Sequence, residues 1–112
     1  MLNQTILVGR IARDLEIKKL EDGNKVSYIT LAVQRAYKNV NGEYDTDFVP
    51  ITLYNGVAES VKEYCKKGDV VGIKGRIQMF PKVGKDDFQE GIEIGIIADK
   101  VTFLSSARKD EE

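Results

Sequence analysis

Aromatic rings and cations at alternating positions are the chemically useful residues of this chain. A period of two puts Phe48, Thr52 and Tyr54 on one side of the segment 47–54. It puts Lys74, Arg76 and Gln78 on one side of the segment 69–79, and Arg10 on the matching side of 5–13. Arg35, Tyr37 and Lys38 fall in the loop after the segment 25–35, and Phe80, Lys82, Lys85 and Phe88 in the loop before the last segment. Bases stack on flat rings and phosphates follow cations, so the combination suits a single-stranded nucleic acid. Each stacked base is worth about 1–3 kcal/mol by truncation, so a few rings would dominate affinity. The same residues have a plainer reading. Outward rings on small domains also pack under loops or in subunit interfaces, and scattered Lys and Arg are ordinary solvated surface.

Other chemistries have little to build on. There is no His, which removes imidazole zinc sites and any Ser/His or Cys/His pair. The single Cys forms no internal disulfide, which points to a reducing, cytoplasmic setting. Cys65 falls on an apolar helical stripe and reads as a small core residue. Gly72-Ile73-Lys74-Gly75 lacks phosphate-loop spacing. Asp45 with Asp47, and Asp86 with Asp87, are carboxylate pairs that suit a cation or, more ordinarily, a solvated turn. No nucleophile has a base beside it, so the chain reads as a non-enzyme with no cofactor and no metal site. No apolar run reaches membrane-spanning length, and the first residues lack a signal-peptide pattern.

Strands must position these residues. The 112 residues, 42% hydrophobic and 31% charged, suit one soluble domain. In 5–13 both alternate sets are apolar, Leu7, Gly9 and Ile11 against Ile6 and Val8, which predicts cover on both sides. The strand 25–35 faces inward with Ile29, Leu31 and Val33, and the strand 47–54 with Val49, Ile51 and Leu53. Pro50 predicts an edge, a bulge or a local loss of pairing. Turns fall at Glu21-Asp22-Gly23-Asn24 and at Asn39 to Glu43. Val57, Val61, Tyr64 and Cys65 make the inner stripe of a short helix, with Asn55 as N-cap and Gly68 as its stop. Val71, Ile73, Gly75, Ile77 and Met79 are the inner set of the next strand, and the last strand covers about 91–104. Three strands, a helix and two strands predict an all-β domain with one short helix, the five-stranded Greek-key barrel of the OB-fold, over residues 1–105. Residues 106–112 form a short polar tail. Glycines at 9, 72, 75 and 95 suit the coiling of so small a barrel.

The formal charge of −1 and a pI near 5.6 argue against binding by charge alone. Arg108 to Glu112 hold two cations and three anions, so the rest of the chain is balanced. Placement then decides the matter, with Arg10, Lys74 and Arg76 outward and Glu93 and Asp99 on a different strand.

The residues in order also resemble bacterial single-stranded DNA-binding proteins. The likeness runs through Ile6 to Ile11 with Asp14, Ile29 to Val33, Tyr37 to Asn39, Asn41 to Glu43 and Asp47 to Val49. It continues through Ala58, Glu59 and Val61, Tyr64 to Gly68, Val71 to Gln78, and Val101 with Phe103 and Leu104. It covers about residues 2–104. The resemblance implies an OB-fold, a homotetramer, and sequence-tolerant coating of single-stranded DNA in replication, recombination and repair. A primosome-type accessory module with weak strand binding is the alternative. By resemblance the stacking rings are Tyr37, Phe48 and Tyr54, and Arg10, Lys62, Lys67, Lys74 and Arg76 are backbone contacts. A fourth family ring falls near Lys82, where Phe80 and Phe88 are both substitutes. Leu15 replaces a usual Pro, which suggests a looser turn, and Tyr28 stands where Asn is common, as an added ring or an interface residue. The acidic end lacks the family's terminal apolar pair, so recruitment of replication or recombination proteins through such a tip is not expected.

Overall fold

Alternating burial, set by the period-two pattern, curls the strands of this chain around one apolar interior. The computed structural model describes residues 1–83 and 89–106. Strands β1 (Thr5–Ile11), β2 (Lys18–Lys19), β3 (Lys25–Lys38) and β4 (Tyr44–Tyr54) precede helix α1 (Asn55–Tyr64). Strands β5 (Val70–Val83) and β6 (Gln89–Ser105) follow it. The sheet runs β1-β5-β6-β4-β3-β2, and a β1–β3 pairing at Arg10↔Ala32 and Ile11↔Leu31 closes it. Apart from the two-residue β2, this is a closed five-stranded barrel of the OB type.

The interior holds Ile11, Ile29, Leu31, Ile51, Leu53, Val71 and Ile73. These are the inward sets that alternation predicts for β3, β4 and the first half of β5. Helix α1 adds Ala58 and Val61 to the same cluster. So does Leu15, which is 5% exposed. The residue that replaces a turn proline thus anchors its loop in the core. Closure needs two glycines. A Cβ on Gly9 would sit 2.4 Å from the Ala32 carbonyl oxygen, and one on Gly75 would sit 2.2 Å from that of Ile97. Gly72 has no such need, since its nearest neighbour would be a Leu104 methyl at 3.6 Å. Pro50 pairs across from Thr30 and lies one residue before β4 meets β6 at Ile51↔Ile96, so the sheet is open beside it on that side.

Several local expectations are corrected. The residues placed in loops, Arg35 to Lys38 and Phe80 to Lys82, belong to strands, because both hairpins continue past the barrel as two-stranded ribbons. Ile77 and Met79 are therefore exposed, since the ribbon has left the interior. Ile6 and Val8 are exposed as well, so the described residues leave that side of β1 open. In α1 the buried stripe is Ala58 and Val61, and Tyr64 points outward at the last turn. Asn55 does not cap the helix. Its φ is +48°, and its side chain accepts from the Lys25 backbone N–H at 2.9 Å. Gly68 lies in a separate turn, closed by Asp69 N–H to the Lys66 carbonyl at 3.1 Å, with φ +94°. That turn clips to the end of β1 through Gly68 N–H to the Ile11 carbonyl and Ile11 N–H to the Asp69 carbonyl.

Candidate nucleic-acid interface

Outward positions of β4 alternate Phe48, Pro50, Thr52 and Tyr54, and those of β3 include Tyr28, directly across from Thr52. The β5–β6 ribbon stands beside them. Between the two lies a hollow of about 290 Å³. Tyr28, Thr52 and Tyr54 line it from the barrel side. Phe80, Glu93 and Gly95 line it from the ribbon side. Phe80 and Glu93 are cross-strand partners. The Phe80 ring lies over Gly95, where any Cβ would come within 2.6 Å of it. Glycine is thus the seat that lets the ring lie down. Phe48 is 66% exposed and sits farther along β4, opposite Ala32. Tyr37 is 69% exposed on the outer part of β3. The structure therefore joins Tyr54 and Phe80 in one groove and leaves Phe48 and Tyr37 exposed outside its lining. Phe88 and Lys85, like Asp86 and Asp87, lie outside the described residues.

Tyr28, expected from the resemblance as an added ring or an interface residue, lines the groove. Its position opposite Thr52 makes it a third aromatic wall. Register is the information needed to see this.

The cations are distributed differently from the expectation. Arg10 donates to the Gly68 carbonyl at 3.0 Å and borders a separate hollow with Val8, Gln34 and Thr46. Lys62 donates to the Leu15 carbonyl at 2.7 Å, which ties α1 to the loop after β1. Lys67 is exposed in the turn after α1. Lys74 is exposed on β5 between Ile6 of β1 and Lys100 of β6. Arg76 is hydrogen-bonded to Asp99. The strand holding Asp99 and Glu93 is the neighbour of β5, so these acids are not set apart from the cations. Asp99 neutralises Arg76, and Glu93 enters the ring-lined groove. No cation lines that groove among the described residues.

Asp45 and Asp47 serve Arg35. Its Nε and Nη2 donate to the two Asp47 oxygens at 3.1 and 3.0 Å, and Asp45 stands 3.7 Å away. The hydrogen bond from Arg35 holds the Asp47 carboxyl below its ordinary range, and Asp47 in turn raises Arg35. No group of three metal-binding side chains occurs among the described residues. A further hollow of about 410 Å³ lies between α1 and β6, lined by Val57, Tyr64, Cys65 and Phe103. Burial, helped by Asp69, pushes the Cys65 thiol up, the opposite of an activated nucleophile. No helix among the described residues is long and apolar enough to cross a membrane.

The model of the single-strand binding protein family matches residues 2–104 of this sequence. The chain belongs to that family. Curated relatives agree. The single-stranded DNA-binding protein B of Bacillus subtilis (strain 168) is 36% identical over 99% of this chain and 97% of its own length. Single-stranded DNA-binding protein 1 of Staphylococcus aureus (strain MSSA476) is 38% identical over 99% of this chain and 70% of its own. Single-stranded DNA-binding protein 2 of Staphylococcus aureus (strain Mu50 / ATCC 700699) is 39% identical over 93% and 73%. Within the single-strand binding family, then, this member carries a groove walled by Tyr28, Tyr54 and Phe80, and its Arg76 guanidinium is paired with Asp99.

Proposed function

We infer that this chain is a non-enzymatic, sequence-tolerant single-stranded DNA-binding protein whose bases stack in the groove of Tyr28, Tyr54 and Phe80. The backbone is led past Phe48 and Tyr37 toward the exposed Lys67. The observation that carries this reading is the meeting of Tyr54 and Phe80, from opposite sides, on one apolar groove. Rings supply most of the affinity, and a modest set of cations supplies the salt dependence. The same reading puts the protein in the cytoplasm, on single strands exposed in replication, recombination and repair. Residues 1–105 act as the binding unit and 106–112 as its tail. Ile6, Val8 and Leu104 are exposed on the β1-β5-β6 side, and a second copy of the chain is the partner we assign to that face, building toward a tetramer. Light scattering reads the oligomer directly, and a monomer would refute the assignment.

The test of binding is an oligothymidine titration followed by tyrosine fluorescence. With five Tyr and no Trp, stacking should quench the signal directly. Absence of quenching at low salt would sink the stacking reading.

A further inference from the structure

The groove's charge is the opposite of what a phosphate track requires. Glu93 is the charged side chain among the described residues that line it, and it shares the walls with three rings. It is exposed, and it makes no hydrogen bond or ion pair among the described residues. Its cross-strand partner is Phe80, so a base stacked on that ring lies beside the carboxylate. An ionised carboxylate only accepts hydrogen bonds. It therefore sorts bases by the donors on their edges. Cytosine offers its amino group, the pairing that Glu and Asp use in reading cytosine. Thymine offers one ring N–H flanked by two carbonyl oxygens, which a carboxylate repels.

We propose that Glu93 is a specificity-determining residue that biases this groove toward bases carrying an exocyclic amino group and against thymine. The proposal rests on the groove being the base-binding surface. It adds a hydrogen-bonded preference to binding that stacking alone would leave sequence-tolerant.

The test compares dC and dT oligonucleotides of equal length, at mildly alkaline pH where cytosine is unprotonated, on the full chain and on Glu93→Gln. The amide both donates and accepts, so it accommodates thymine. Glu93→Gln should strengthen dT binding relative to dC by roughly five- to tenfold, the scale of one good base-edge contact. The shift in the dC:dT ratio should persist at high salt, where plain charge repulsion is screened. An equal change for both oligonucleotides that fades with salt would overturn the proposal and leave Glu93 as a repelling charge only. No change at all would overturn it too. Phe80→Ala distinguishes the underlying reading. If it binds both oligonucleotides as the parent does, while melting as the parent does, the groove itself is not the base site.

Discussion

Gly95→Ala tests the groove without removing any ring. A methyl at this position would lie 2.6 Å from Phe80 Cε2, 3.1 Å from Cδ2 and 3.7 Å from Cζ. Carbon atoms rest about 3.5–4.0 Å apart, so the ring must retreat by about 1 Å or rotate off its seat. Phe80 stands on a ribbon outside the barrel interior, so this movement leaves the core alone. Replacing a strand glycine also stabilises the backbone by roughly 0.5–1 kcal/mol, which offsets the lost ring contact. The melting temperature should therefore move little. Binding should not escape, because a base stacked on Phe80 is worth about 1–3 kcal/mol, or roughly 5- to 150-fold in affinity. The assay is oligothymidine titration of the parent, Gly95→Ala, Phe80→Ala and the double variant. In the Phe80→Ala background the Gly95 substitution should cost nothing, since the ring it displaces is gone. Parent-like binding by Gly95→Ala beside a large loss in Phe80→Ala would refute the seat argument. So would equal losses from Gly95→Ala in both backgrounds.

Four further substitutions test the charge pairing, a buried hydroxyl and the closure of the barrel. Asp99→Asn frees the Arg76 guanidinium, so the log–log salt slope for single strands should become more negative by about 0.7, one phosphate's worth; an unchanged slope would mean that Arg76 does not reach the strand. Ser27 is 2% exposed and its hydroxyl oxygen has no hydrogen-bond partner among the described residues, a burial that costs about 1–3 kcal/mol, so Ser27→Ala should be neutral or stabilising in urea titration. A loss above about 1 kcal/mol there would show that the hydroxyl is bonded after all. Gly75→Ala should destabilise the barrel severely while Gly72→Ala melts near the parent, because only the first forces a Cβ against a neighbouring carbonyl. Equal melting temperatures for the two would contradict the closure geometry.

Alternation made the barrel legible because one face of each strand meets the core. Ile29 and Leu31, Ile51 and Leu53, and Val71 and Ile73 are buried as their spacing requires, and Phe48 and Tyr54 are outward for the same reason. Parity does not reveal where a strand leaves the interior. Ile77 and Met79 continue the inward set of β5, yet the ribbon has already departed and solvent meets them. Composition also misled at the helix. Asn55 and Gly68 carry the residue types of caps, but each is committed elsewhere, Asn55 to the start of β3 and Gly68 to the end of β1. These partners are 30 and more residues away in sequence, and no local rule reports them. The third wall of the groove is similar. The sequence leaves Tyr28 between an added ring and an interface residue, and only the β3–β4 register places it opposite Thr52.

The charges show the limit most clearly. With Lys74 opposite Lys100, an unbroken ladder would set Asp99 opposite Gly75, on the inward face. Instead the register shifts there, and Ala98 takes the place opposite Gly75. Ala98 is 4% exposed and fits the interior, where a carboxylate would be costly. The extra residue turns Asp99 outward, into reach of Arg76. One bulge thus keeps an acid out of the core and, by the same displacement, occupies the arginine that the sequence offered to phosphate. A near-neutral chain can still hold a single strand under this arrangement, provided that its rings carry the affinity. The local pairing of Arg76 with Asp99 then matters more than the net charge, because it decides which cations are left to meet a phosphate.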